Sequence, residues 1–118
     1  MKYKRGDVIL IFFPFTSGAG AKVRPALVVQ NDTSNRRLHN LIVAGITTTV
    51  HRSGEPTQFL IELSSIEGPR AGLVQDSVVS CENLATLHES LVRGKIGDLS
   101  PVAMRTIDDC LKAALGIQ

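Results

Sequence analysis

Apolar residues in this chain fall into short runs divided by clusters of turn formers, and one run near the end recurs at helical spacing. Gly6-Asp7 makes a turn, and Val8–Phe13, rich in β-branched and aromatic residues, predicts a first strand. Arg24–Asn31 predicts a second strand, joined to the first through a small-residue loop, Thr16-Ser17-Gly18-Ala19-Gly20-Ala21, as a long-looped hairpin. Asn31 to Asn35 is a dense set of turn formers, and Leu41–Ile46 predicts a third strand ending at Thr47-Thr48-Thr49. Phe59–Leu63 predicts a fourth strand, Gly68-Pro69-Arg70-Ala71-Gly72 a break, and Ser77–Cys81 a fifth strand. Leu91–Ile96 adds a short strand interrupted by glycine. Ser100 can cap a final helix with Pro101 at its first position. Met104, Ile107, Leu111, Ala114 and Leu115 then recur at spacings of three and four, and Gly116 fits as the stop.

Five or six short strands and one helix predict a mainly β fold, a small and strongly curved β-barrel with a C-terminal α-helix against it, in a single domain spanning 1–118. The first three strands are continuously apolar instead of alternating, which implies cover on both faces. A homodimer packing part of this sheet against its mate supplies that cover, with the C-terminal helix as the competing source.

Composition narrows the function classes. A net charge of +2, from 13 basic and 11 acidic residues, permits a nucleic-acid partner without arguing for one. Cys81 and Cys110 are the only cysteines, too few for a disulfide framework or a zinc quartet, so reducing cytoplasm is the expected location. No apolar run is long enough to cross a membrane. Lys2, Lys4 and Arg5, the run Val8–Phe15 and Ala19-Gly20-Ala21 imitate a secretory leader. Asp7 at the junction, Pro14 late in the run and the strand character of Val8–Phe13 argue against it.

Arg24 stands out among candidate functional residues. Pro25 biases it toward an extended conformation, so it sits on a strand rim beside a loop of small residues. A guanidinium held there suits a planar clamp for phosphate or carboxylate, while a solvated ion pair would explain it equally. Of the histidines, His51 follows the third strand most closely, and His39 and His88 lie in polar contexts. No pair has ligand spacing, so neither a metal nor another cofactor is expected.

The residues also carry a resemblance. Arg5-Gly6-Asp7-Val8, Arg24-Pro25-Ala26-Leu27-Val28-Val29-Gln30-Asn31, Val43-Ala44-Gly45-Ile46-Thr47, Asp76-Ser77-Val78-Val79 and the closing Leu111–Gly116 together resemble the MazF/PemK toxin family, in order and over nearly the whole chain. The resemblance implies a homodimeric SH3-like barrel of the CcdB/MazF type and the toxin of a type II toxin–antitoxin pair. It further implies a sequence-selective, metal-independent endoribonuclease that cuts single-stranded messenger RNA and is silenced by a cognate antitoxin peptide. Arg24 matches the family's catalytic arginine and Thr47 its active-site threonine, although a Thr-rich turn would also account for Thr47.

Other positions depart from the family pattern. Many members carry a glutamate in the loop ahead of the arginine, whereas Ala19 stands at that offset and Thr16–Ala21 holds no ionisable side chain. Glu82, followed by Asn83, stands where the family has an acidic residue followed by glutamine, and is a candidate RNA contact or proton acceptor. Lys22, Arg36, Arg37 and Arg52 are expected to form a basic rim around Arg24, with His51 a further candidate acid or base. An antitoxin tail is expected to place acidic residues near Arg24, with the loop around Gly18 and Gly20 moving to admit either ligand. The alternative is a catalytically inactive or protein-binding member of the same fold. Gyrase poisons of that kind end in tryptophan-glycine-isoleucine, whereas this chain ends Leu115-Gly116-Ile117-Gln118 and has no tryptophan.

Overall fold

The computed structural model describes residues 2–13 and 22–118, and the Thr16–Ala21 loop discussed above lies outside the described residues. The elements run β1 (Asp7–Phe13), β2 (Lys22–Val28), α1 (Asp32–Arg37), β3 (Asn40–Thr47), β4 (Gln58–Ile61), α2 (Glu67–Ala71), β5 (Ser77–His88), a single 3₁₀ turn (Glu89–Leu91), β6 (Val92–Asp98) and α3 (Pro101–Leu115). The strands form one antiparallel sheet in the order β4-β5-β3-β2-β1-β6. The mainly β architecture with a C-terminal helix is as expected, but the sheet is open. Among the described residues no ladder joins β4 to β6, so the six-stranded sheet of the expected barrel is not closed by hydrogen bonds.

Two apolar clusters lie on the two faces of the central strands. On one face Val8, Leu27, Ala44, Ile61, Val79 and Cys81 pack against Ala103, Met104, Ile107 and Cys110 of α3. On the other, Ile9, Ile11, Ala26, Val28, Leu41, Val43 and Leu87 form a second cluster closed by Tyr3, Ala85, Leu91 and Val92. The double cover demanded by the apolar pattern of β1 to β3 is therefore supplied within one chain: Ile9, Ile11, Ala26 and Val28 are wholly buried without a mate. The second cover comes from β5, which is far longer than the expected Ser77–Cys81, and from the N-terminal and 3₁₀ segments. Burial pushes the Cys81 thiol up to about 12 and raises that of Cys110, as expected of core residues with no nucleophilic task.

Local chemistry explains the remaining boundaries. The turn-former cluster after β2 contains a short helix whose signals are all present: Asn31 accepts from the Ser34 N–H at 2.7 Å, Asp32 lies in the first turn, and Arg36 and Arg37 in the last. Its Asn35 is buried against Gln30, with the Gln30 Nε2 donating to Asn35 Oδ1 at 2.9 Å, so Gln30 and Asn31 leave the expected strand to serve α1. In α3, Ser100 Oγ accepts from the Ala103 N–H at 3.1 Å, Pro101 opens the helix and Gly116 ends it at φ 71°, all as the pattern predicts. The break at Gly68–Gly72 is instead α2, ended by Gly72 in the left-handed region at φ 76°.

Gly72 yields a stability prediction. A Cβ there would lie 2.1 Å from the Ile96 carbonyl oxygen of β6, in a conformation that costs a side-chain-bearing residue. Gly72→Ala should therefore lower stability by about 2 kcal/mol or more in urea titration. Gly94→Ala, where a Cβ meets nothing within 4 Å, should cost much less. Equal midpoints for the two variants would contradict this packing of α2 on β6.

Candidate functional site

The site begins with a proline. β2 pairs with β1 from Val8–Leu27 to Phe13–Lys22, but with β3 only at Ala26–Gly45, Leu27–Ala44 and Val28–Val43. Pro25 has no N–H for a ladder, and it stands where the pairing with β3 stops. Beyond it, Arg24 is held by β1 alone, opposite Ile11, while Ile46 and Thr47 are held by β5 alone, opposite Val79 and Val78. The seam between two central strands is thereby left without ladder pairs at one end.

Register and alternation bring Arg24 and Thr47 together there. Continuing the β2–β3 register two residues past Ala26–Gly45 sets Arg24 opposite Thr47. Both belong to the face of the second cluster, because Arg24 pairs with Ile11 and alternates with Ala26, and Thr47 alternates with Val43. Arg24 is exposed and Thr47 half-buried, and none of the ion pairs among the described residues engages Arg24. Thr47 Oγ1 accepts from the Thr49 N–H at 3.1 Å, which fixes the oxygen and leaves its proton to donate outward.

Two residues before Thr47, β3 meets a bulge in β5. The β3–β5 register jumps from Ala44–Leu84 to Gly45–Ser80, so Cys81, Glu82 and Asn83 have no partners on β3. Asn83 lies over Gly45: a Cβ at Gly45 would approach the Asn83 Nδ2 to 2.5 Å. Glycine at this position leaves the Asn83 side chain its room over β3.

Glu82, in the bulge, ties a polar network together. Its carboxylate accepts from Arg52 Nη2 at 2.6 Å, from the Thr57 hydroxyl and from Gln58 Nε2 at 3.3 Å. Gln58 is buried and also donates to Thr57 Oγ1 at 3.0 Å and Ser80 Oγ at 3.3 Å. Arg52 further holds Glu55 with both arms of its fork, Nε to Oε2 and Nη2 to Oε1, each at 2.8 Å. Arg52, then Thr57, hold the Glu82 carboxyl below its ordinary value, so Glu82 is a weak proton acceptor. Arg52 is likewise committed to two carboxylates, which weakens it as a cation for an incoming anion. The sequence contains Thr57 and Gln58 in plain view, but a buried glutamine that braces a bulge has no local signature.

The other expected rim residues separate. Lys22 is exposed, two positions before Arg24 on the same end of β2, and so joins the rim. His51 is exposed in the turn after β3, where the Ser53 N–H donates to the Val50 carbonyl at 3.0 Å. Arg36 and Arg37 do not belong there. They lie on α1, past the far end of β2, whose Arg24–Val28 stretch alone spans about 13 Å at strand rise. Among the described residues no group of three or more His, Cys, Asp or Glu is arranged to hold a metal ion. Nor is any described helix long and apolar enough to cross a membrane.

Comparison with known proteins agrees with this geometry. Residues 4–115 match the family model described as PemK-like, MazF-like toxin of type II toxin–antitoxin system. An endoribonuclease MazF of Staphylococcus saprophyticus is 31% identical over 115 residues, covering 97% of this chain and 92% of the relative. The Mycobacterium tuberculosis toxin MazF-mt6 superposes with TM-score 0.77 at 26% identity, covering 95% of this chain and 98% of that one. A mycobacterial endoribonuclease solved with its cognate antitoxin superposes with TM-score 0.75 at 27% identity, covering 98% and 97%.

The Arg52 network has a pH signature. Arg52 depresses both Glu55 and Glu82 below the ordinary 4.5, so their contribution to stability is full above that value and lost as pH falls through the lowered folded-state values. Thermal unfolding of wild type and Arg52→Ala should therefore differ by a constant amount above about pH 5 and converge below it. A gap as wide at pH 3 as at neutrality would contradict the network.

Proposed function

The chain belongs to the PemK-like, MazF-like toxin family of type II toxin–antitoxin systems, and we propose that it is a metal-independent endoribonuclease cutting single-stranded messenger RNA at selected sequences. What supports the reading is the register, which, continued past Ala26–Gly45, sets Arg24 opposite Thr47 at the unladdered end of the β2–β3 seam, with both on one face. An arginine fork and a hydroxyl donor there meet the needs of a phosphodiester whose phosphoryl oxygens gain charge.

In the proposed reaction the ribose 2′-oxygen attacks phosphorus and the bond to the 5′-oxygen breaks. The products are a 2′,3′-cyclic phosphate and a 5′-hydroxyl, with one proton lost from the nucleophile and one gained by the leaving oxygen. Arg24 binds the nonbridging oxygens, and its charge favours the transition state over the ground state. A guanidinium carries five donors and a permanent charge, so Arg24 acts as an electrostatic clamp and not as an acid. The Thr47 hydroxyl, its oxygen held by the Thr49 N–H, donates its proton to the phosphate or to the leaving oxygen. Thr16–Ala21 contains no ionisable group and Glu82 is a weakened base, which leaves solvent or His51 to take the proton from the 2′-hydroxyl.

We further propose a cognate antitoxin as the silencing partner, its acidic residues competing with RNA for Arg24 and Lys22. A homodimer working in the cytoplasm is proposed on family membership alone, since the apolar strands find their cover within one chain. The gyrase-poison reading is not favoured: the chain lacks the tryptophan of that group, and its named relative is an endoribonuclease.

Cleavage of a long single-stranded RNA in excess chelator tests the reading. Arg24→Ala should lower kcat by about 10²- to 10³-fold. Thr47→Val, which removes one hydrogen bond to a charged group, should lower it by about 10- to 100-fold. Full activity in Arg24→Ala would overturn the assignment. The pH profile of kcat/KM should rise through neutrality without a plateau. A plateau abolished by His51→Ala would instead make His51 the base.

A further inference from the structure

The far end of the sheet from Arg24 holds a cavity that the proposed chemistry leaves unused. Lys2, Tyr3, Lys4, Asp32 and Arg36 line about 370 Å³ between the N-terminal segment and α1. Its walls are anchored. The Gly6 N–H donates to the Val28 carbonyl at 2.8 Å, Arg5 Nε to the Val29 carbonyl at 2.9 Å, and the Lys4 N–H to Asp7 Oδ2 at 2.9 Å. α1 is capped by Asn31 and pinned through buried Asn35.

The charges in this cavity are unequal. Lys2 is engaged, donating to the Leu38 carbonyl at 3.1 Å and pairing with Glu89 at 3.5 Å. The Asp32 carboxylate accepts from the Arg5 N–H at 2.7 Å and Asn35 Nδ2 at 3.1 Å, both at Oδ1. It stays a negative charge in the recess, held below its ordinary value first by the Arg5 N–H and further by Arg36 and Lys4 nearby, so that the two cations face one carboxylate. Lys4 and Arg36 take part in none of the ion pairs among the described residues. An ammonium and a guanidinium thus stand in one recess with an aromatic wall, Tyr3, which is half-buried against the second cluster. Two cations suit a phosphate and an aromatic wall suits a base.

We propose that this recess is a second, non-catalytic contact for RNA, binding one nucleotide of the strand well away from the bond being cut through Lys4, Arg36 and Tyr3. It rests on the reading of the protein as an RNA-cleaving toxin. It would give long strands an affinity that short ones lack, because one chain then spans two cationic points on a rigid body.

The test uses the full chain and direct binding, so it does not depend on catalysis. Fluorescence anisotropy would follow labelled single-stranded 2′-O-methyl RNA, which lacks the nucleophile, as a long oligomer and as a trinucleotide. Lys4→Ala/Arg36→Ala should weaken the long oligomer about tenfold at low salt and flatten the dependence of log Kd on log salt by about 0.7, for one lost single-strand phosphate contact. The trinucleotide should bind both proteins alike, and unchanged thermal unfolding would confirm that the fold is intact.

Identical long-oligomer binding and salt slope in the two proteins would overturn the proposal. So would amide shifts at Lys2–Lys4 and α1 with uridine monophosphate but not with the oligomer, which would mark a site for a free nucleotide. Tighter capture of poly-glutamate than of RNA, lost in the double variant, would assign the recess to an acidic protein segment and overturn it as well. Absence of cleavage in the separate activity assay would count against the nuclease reading alone.

Discussion

A missing N–H governs the architecture of the site. β2 is a central strand, and proline in a central strand is normally excluded because it cannot complete the ladder on both sides. Pro25 is tolerated because β1 continues beside it through Lys22, while the pairing with β3 stops one residue later along β2, at Ala26. The consequence is a seam without ladder pairs in the middle of an otherwise continuous sheet. Arg24 and Thr47 occupy its two sides, each held by a different outer strand, and so they share a rim without competing for the same backbone partners.

The rest of the chain holds that rim in place. α3 and the first cluster brace one face of the sheet, and β5 with the second cluster braces the other. The bulge at Cys81–Asn83 lets one long strand serve β4 in its first part and the start of β3 in its second. The same bulge places Asn83 over Gly45, and Glu82 secures it to Arg52, Thr57 and Gln58. Glu82 and Arg52, candidate RNA contacts by sequence, are engaged in this bracing network. The clamp of the proposed reaction is left to Arg24 and Thr47.

What was legible in the sequence depended on how local its cause is. Strand character in Val8–Phe13 and Leu41–Ile46 and the caps of α3 are short-range effects, and each sits within a residue or so of its observed place. α1 was hidden because Asn31, Asp32 and Ser34 favour turns and helix starts alike, and the choice between them is made by the burial of Asn35 on Gln30. The length of β5 was hidden because Glu82 and Asn83 break its apolar alternation at the bulge. Arg24 was visible through its proline, and the same proline opens the seam. The separation of Arg36 and Arg37 from that rim follows only from topology, which local composition does not report. Double apolar cover suggests a mate, but the long β5 with the N-terminal and 3₁₀ segments fulfils the same requirement within one chain.

The central claim is that the rim of Arg24 and Thr47 stabilises a phosphoryl group attacked by its own neighbouring 2′-hydroxyl. Its most direct test is an RNA oligonucleotide carrying the preferred cleavage site, compared with the same strand bearing a single 2′-deoxynucleotide on the 5′ side of the scissile bond. The account predicts that the deoxy substitution abolishes cleavage at that bond while leaving the affinity of the strand nearly unchanged. Cleavage of the deoxy strand at the same position and a comparable rate would contradict it, because the nucleophile would then be water or a protein side chain.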